Sequence, residues 1–219
     1  MRSKSTATQK ALNLWAIILI AWALYRTNFQ MPEWFDELVA KPVVFITPVW
    51  YYIRSIERKK FLDGLWFQAG RFGKDIIEGV LIGAMFFASA TLANFVKLKK
   101  FTLIHPLALS GQTVGYMVVI AIGTAVSEEI LSRGFILKRL YEESRNMYTS
   151  SFFASILFFF LHIPILFTNP KINGSLLIVL VVTDMVLSFI NSVVFLQRKS
   201  LTLPILIHAF YNLAIVLFL

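Results

Sequence analysis

The 219-residue sequence contains no cysteine. Disulfides, thiolate metal sites, a cysteine nucleophile and prenylation of the chain itself are therefore excluded. Charge is also scarce: 15% of residues are charged, against about 25% in soluble domains, while 58% are hydrophobic and the mean hydropathy is +0.71. Acidic residues are the scarcer sign, 12 against 21 Lys and Arg, for a formal net charge of +9. Internal repeats and low-complexity linkers are absent. Water cannot be the main solvent of such a chain. One crossing of a bilayer takes about 20 predominantly apolar residues, so this length holds roughly six to eight spans and leaves no room for a soluble domain.

The excess of positive charge does not read as nucleic-acid binding, because the basic residues cluster at the ends of apolar segments. Cytoplasmic loops resting on anionic lipid have that pattern, and membrane lipid is the expected partner. The apolar runs cover residues 12–24, 39–53, 76–96, 113–141, 148–167, 175–196 and 201–219. The first follows Arg2, Lys4 and Lys10 as a signal peptide would. No A-x-A-like cleavage site follows it, and Trp15, Trp22 and Tyr25 suit interfacial anchoring, so it is read as a retained first span. Pro42 and Pro48 inside the second run predict a short or kinked helix. Residues 54–74 interleave Arg58, Lys59, Lys60, Arg71 and Lys74 with Phe61, Leu65, Trp66, Phe67 and Phe72, which predicts an amphipathic interfacial segment.

The expected fold is all-α, a polytopic integral membrane helical bundle of about seven transmembrane helices, with residues 1–219 forming a single domain. Alternating Lys and Arg counts place the N-terminus in the cytoplasm together with 54–74, 133–145 and 198–199, and leave Arg26, Lys41 and Lys171 outside. Lys97, Lys99 and Lys100 run against that orientation.

Ionisable residues inside apolar helices are costly and need a partner or a function. Glu128 and Glu129 lie in the fourth run, His162 in the fifth, Asp184 and Asn191 in the sixth, and His208 and Asn212 in the seventh. Residues four apart share a helix face, so Glu129 and Arg133 can neutralise one another as a structural ion pair. Glu128 points about 100° away and needs another partner. The same spacing stacks Phe158 with His162 and His208 with Asn212. Either histidine taken alone is explained by donation to a helix carbonyl, and Asp184 and Asn191 by hydrogen bonds to a neighbouring helix. His105 reads as incidental, and Glu78 as an interfacial partner of Lys74.

With a rise of about 1.5 Å per residue, Glu128 lies about 15 Å above Lys138, His208 about 13 Å above Lys199 and His162 about 18 Å above Ser150. Similar depths allow convergence on one pocket toward the cytoplasmic half of the bundle. A buried carboxylate, two imidazoles and an amide supply a general base, groups that orient water and an oxyanion donor, which are the parts needed to hydrolyse a carbonyl compound. Glu128, His162 and His208 are also a possible zinc ligand set.

Three patterns on three runs, Glu128-Glu129-x-x-x-Arg133, Phe158-x-x-x-His162 and His208-x-x-x-Asn212, occur in the order found in the CAAX protease and bacteriocin-processing (CPBP or ABI) family. From about residue 80 onward the chain resembles that family, which includes the type II CAAX prenyl endopeptidases. The resemblance implies an intramembrane endopeptidase acting on a membrane-associated, lipidated or hydrophobic peptide. It implies that Glu128 activates water, His162 orients it, His208 and Asn212 form the oxyanion site, and Glu129 and Arg133 support them. It further implies a glutamate mechanism without a cofactor, zinc being the alternative. The short loops resemble a prokaryotic plasma-membrane member. A non-proteolytic immunity or chaperone-like partner is the rival reading, and a small transporter using Glu128, His162 and His208 as a proton relay is a third, against which stands the lack of an inverted repeat.

Overall fold

The computed structural model describes residues 5–67, 69–99, 111–168 and 174–218, and within these it contains helices and no strands. Arg2, Lys4, Lys100, His105 and Lys171 lie outside the described residues. Seven helical runs follow in order: α1 (Ala7–Asn28), α2 (33–56), α3 (Phe72–Leu98), α4 (111–144), α5 (Met147–Thr168), α6 (Gly174–Arg198) and α7 (Thr202–Phe218). Five stretches are long and apolar enough to cross a membrane, in α1, α3, α4, α5 and α6, and α7 is a shorter apolar helix. The protein is an integral, multi-pass, all-α membrane bundle.

Local chemistry sets several boundaries. Thr6 and Gln9 form a reciprocal capping box that starts α1. Arg145 and Lys199 adopt left-handed backbone (φ 55° and 50°) and turn α4 into α5 and α6 into α7. α2 is continuous through Pro42 and Pro48, because π turns at Asp36–Ala40, Pro42–Ile46 and Tyr52–Ile56 rearrange the hydrogen bonds around them. A longer π stretch, Ile130–Leu137, interrupts α4 directly after Glu128 and Glu129, and all eight of its residues are buried.

α4 is the hub, touched by α1, α2, α5, α6 and α7, and α7 also packs on α3 and α6. Trp22 and Tyr25 depart from the expected interfacial role. Trp22 is buried, stacking on Tyr25 and meeting Phe45 edge-on, and the Tyr25 hydroxyl donates to Asp36 at 2.6 Å. Arg26 pairs with the same carboxylate, which ties α1 to α2.

The 54–74 segment is amphipathic but is not one helix. A single turn, Phe61–Gly64, presents buried Gly64 and Leu65 to the bundle while Lys59 and Lys60 stay exposed. Trp66 stacks on Phe195, and Lys138 reaches the Gly64 carbonyl at 2.9 Å. Lys138 and Arg139, expected in a cytoplasmic loop, are therefore buried. Arg139 binds Glu57 and the carbonyls of Gly134 and Phe135. Glu78 pairs with Arg198 at 2.8 Å rather than with Lys74.

Lipid tails are as apolar as leucine, so helices in a membrane associate through close packing of small residues. Gly79 and Gly83, one turn apart on α3, receive Leu206 and Phe210 of α7, and a Cβ on Gly83 would fall 2.4 Å from the Phe210 ring. Gly83→Leu is expected to cost about 1–3 kcal/mol of stability, whereas Met85→Leu on the exposed face should change little. Thermal unfolding in detergent measures both, and equal midpoints would show that α3 is not held by this contact.

Candidate active site

The four residues expected to act on substrate come from three helices, and α2 adds a fifth. Glu128, at the end of the regular part of α4, is 4% exposed and accepts a hydrogen bond from Lys41 of α2 through Oε1 at 2.8 Å. Its Oε2 makes no hydrogen bond and faces two imidazole nitrogens, His162 Nε2 at 3.7 Å and His208 Nε2 at 3.6 Å.

Hydrogen-bond logic fixes the rings. A carbonyl only accepts, so His162 Nδ1, 3.1 Å from the Phe158 carbonyl oxygen, carries the hydrogen, and Nε2 of the neutral ring is an acceptor. His208 Nδ1 lies 2.9 Å from Glu129 Oε1, a carboxylate paired with Arg133, so it too is the donor. Three acceptors, Glu128 Oε2 and the two Nε2 atoms of neutral rings, thus converge. A donor between them, a water or a proton on His208, reconciles the arrangement.

The second layer is dense. Glu129 Oε1 accepts from Arg133 at 2.9 Å and from Asn191 at 3.2 Å, and Asn191 also donates to the Pro204 carbonyl. Arg133 donates to the backbone and hydroxyl oxygens of Ser188 at 3.0 and 2.8 Å. The Phe158 ring lies under the Arg133 guanidinium at 4.5 Å, and its centroid is 4.7 Å from that of His162 and 5.7 Å from that of His208. The spacing Phe158-x-x-x-His162 therefore does two jobs: the carbonyl sets the tautomer of His162, and the ring carries Arg133. Asp184, 4.0 Å from His162 Nε2, accepts from the Tyr211 hydroxyl. The expectation that Asp184 and Asn191 bond to neighbouring helices holds.

A cavity of about 300 Å³ opens beside this cluster, and His162, Asn212 and Lys41 form part of its wall. Its other lining residues include Glu33, Glu37, Tyr116 and Val216. Tyr116 lies on the N-terminal side of Glu128 along α4, and Val216 on the C-terminal side of His208 along α7. The cavity is therefore on the side of the cluster away from the start of α1, where the Thr8 hydroxyl donates to the Arg139 carbonyl. Glu128 and His208 stand immediately behind His162 and Lys41.

Lys41, expected in an outer loop from the Lys and Arg count, is instead a helical residue of α2. It is 5% exposed and also pairs with Glu37. Two clues to it were present: a lysine four residues after Glu37, between apolar neighbours, and a Glu128 lacking a partner.

Residues 110–214 match the family described as Rce1-like, type II CAAX prenyl endopeptidase. Over these residues, just under half of the chain, the sequence is similar to that family. The family is one of proteases, and Glu128, Glu129, Arg133, His162, His208 and Asn212 all fall inside the matched residues. No match was found among curated proteins or among solved structures. α1 and α2, including Lys41, lie outside the matched residues.

Zinc fits this site poorly. Among the described residues no group of three His, Asp or Glu is gathered as a metal ion needs, and the Lys41 ammonium on Glu128 Oε1 sets a fixed positive charge on the same carboxylate that would have to bind the ion.

Breaking a buried pair leaves a lone charge and costs about 3–5 kcal/mol. Arg133→Met is expected to lose that much, and Glu129→Gln/Arg133→Met to recover part of it. A double-mutant cycle on unfolding in detergent checks this, and additive losses would show that the two side chains are not coupled.

Proposed function

We propose that the protein is an intramembrane endopeptidase that uses Glu128 as the general base for an attacking water. The reading is carried by one observation: a buried carboxylate oxygen without a donor, faced by two imidazole nitrogens that also accept in their neutral form. A water placed among them donates one hydrogen to Glu128 Oε2 and the other to His162 Nε2, leaving its lone pair directed to the cavity. The match to a protease family supports the same chemistry.

In this mechanism Glu128 takes the water proton as the oxygen attacks the scissile carbonyl of a peptide held in the cavity. The negative charge that forms on the carbonyl oxygen is met by a donor on the cavity wall. Asn212 is suited to this because its amide donates without prior protonation, whereas His208 donates through Nε2 only as the imidazolium. Collapse of the tetrahedral intermediate breaks the C–N bond, and the proton held by Glu128 passes to the departing amine. Glu129 and Arg133 position His208 and the end of the regular helix.

The substrate is a membrane-associated peptide or protein, since the site lies inside an apolar bundle and Ile120, Leu213 and Val216 line the cavity. The family match extends this to a CAAX-type, lipidated substrate. The proposed setting is a prokaryotic plasma membrane with the N-terminus in the cytoplasm, from the distribution of Lys and Arg.

Purified protein in liposomes is expected to cleave members of a panel of lipidated and unlipidated membrane peptides. Glu128→Gln and His162→Ala should fold and lower the rate by about 10²–10⁴-fold, the usual range for a positioned general base. Equal cleavage by all three proteins would remove Glu128 and His162 from the reaction and overturn the mechanism, and cleavage by none would favour a non-proteolytic membrane partner. A chelator is expected to leave the activity intact. Stoichiometric zinc, with activity lost on its removal, would replace Glu128 as base with metal-assisted hydrolysis.

A further inference from the structure

The Rce1-like match accounts for the motif residues but not for the charge that stands against Glu128, because that charge comes from α2, outside residues 110–214. We propose that Lys41 is a positioning residue of the reaction, holding the Glu128 carboxylate charged and its Oε2 edge turned toward the two histidines. The proposal rests on the peptidase reading and extends it to a part of the chain that the family match does not reach.

Geometry makes the case. The Lys41 ammonium is fixed on several sides: Glu128 Oε1 at 2.8 Å, the Glu37 carboxylate one helical turn before it, and the face of Trp22 at 5.6 Å. Glu37 is itself held by the Thr124 hydroxyl at 2.7 Å, which locks this arm of α2 to α4. Two π turns flank Lys41, and Pro42 follows it without a backbone donor. Because the ammonium occupies Oε1, only Oε2 remains for water, and Oε2 is the atom that faces both imidazoles. A carboxylate this deeply buried keeps its charge only beside a compensating one. Arg133, the nearest other fixed cation in the cluster, is engaged by Glu129 and Ser188.

The charged and titratable groups around Glu128 are Lys41 and Glu37 from α2, Glu129 and Arg133 from α4, His162 from α5, Asp184 from α6 and His208 from α7. Removing the lysine charge changes how readily Glu128 binds a proton, while methionine keeps an unbranched side chain of similar length in the cavity wall and the other lining groups stay in place. The effect should therefore fall on kcat and on the acidic limb of the pH–rate profile rather than on KM.

The test compares wild type, Lys41→Met, Lys41→Arg and Glu128→Gln in liposomes, on a peptide that wild type cleaves. Lys41→Met is expected to lower kcat on the order of 100-fold, with KM changed by less than about threefold and the acidic limb moved to higher pH. Lys41→Arg, which keeps the charge with a different geometry, should recover most of the rate. A folded Lys41→Met with wild-type kcat and an unmoved limb overturns the proposal, as does equal loss in Lys41→Arg and Lys41→Met. If Lys41→Met fails to fold, Lys41→Met/Glu128→Gln, which lacks both charges, should fold, and its failure to do so would mean that Lys41 serves the fold instead. If wild type cleaves no peptide, the peptidase reading is what fails. The charge-holding claim is then read by infrared spectroscopy: a protonated carboxylic acid band should appear in Lys41→Met and vanish in Lys41→Met/Glu128→Gln, and its absence from Lys41→Met overturns the claim.

Discussion

Two adjacent glutamates at the centre of an apolar helix impose the constraint that the other buried side chains answer. Each buried carboxylate carries a desolvation penalty of several kcal/mol unless a cation and hydrogen bonds meet it. Neighbouring residues on a helix point about 100° apart, so one cation cannot serve both. Glu129 is met within its own helix by Arg133, one turn on, and across the interface by Asn191 and His208. Glu128 points the other way and is met by Lys41 from α2. α4 is consequently clamped on two sides by charge, and the helices that supply or carry the clamps, α2, α5, α6 and α7, are those that touch it.

The clamps differ in what they leave open. Each glutamate is bound through Oε1 and keeps Oε2 without a donor, but Glu129 Oε1 is shared among a guanidinium, an amide and an imidazole. Glu128 Oε1 holds the Lys41 ammonium, and its Oε2 is the one that faces the two imidazole nitrogens. Equal residue types, side by side in sequence, are thereby separated into a structural acid and an available base by the helices that happen to face them. Phe158 contributes to both halves, because its ring carries Arg133 while its carbonyl orients His162.

The all-helical fold, its membrane character and the pairing of Glu129 with Arg133 were legible because they depend on local information: run length, hydropathy and a four-residue spacing. The joint placement of His162 and His208 was legible from depth along separate helices. What failed was information about partners across helices and about irregular backbone. Lys41 reads as an outer-loop residue because a lysine near the end of an apolar run is counted as a loop charge, whereas α2 runs through it and through Pro42 and Pro48 with π turns. Trp22 and Tyr25 were read as interfacial because aromatic residues near a span end anchor in headgroups, whereas here they build the wall beside Lys41 and Asp36. Lys138 and Arg139 count as loop charges by composition, and only the π stretch Ile130–Leu137 and the folded-back 54–74 segment bury them.

Residues 110–214 carry the motif acids, histidines and amide, yet they do not form an electrostatically closed unit. Cut away from α1 and α2, this domain would hold Glu128 without its ammonium and Arg139 without Glu57. Each would be a lone buried charge, the arrangement that costs most. α1 contributes Trp22 against Lys41 and Arg26 against Asp36, which keeps α2 in place. The N-terminal helices are therefore part of the site's charge balance, and a chain that replaced them would have to supply a cation to Glu128 from another direction to keep the same carboxylate available.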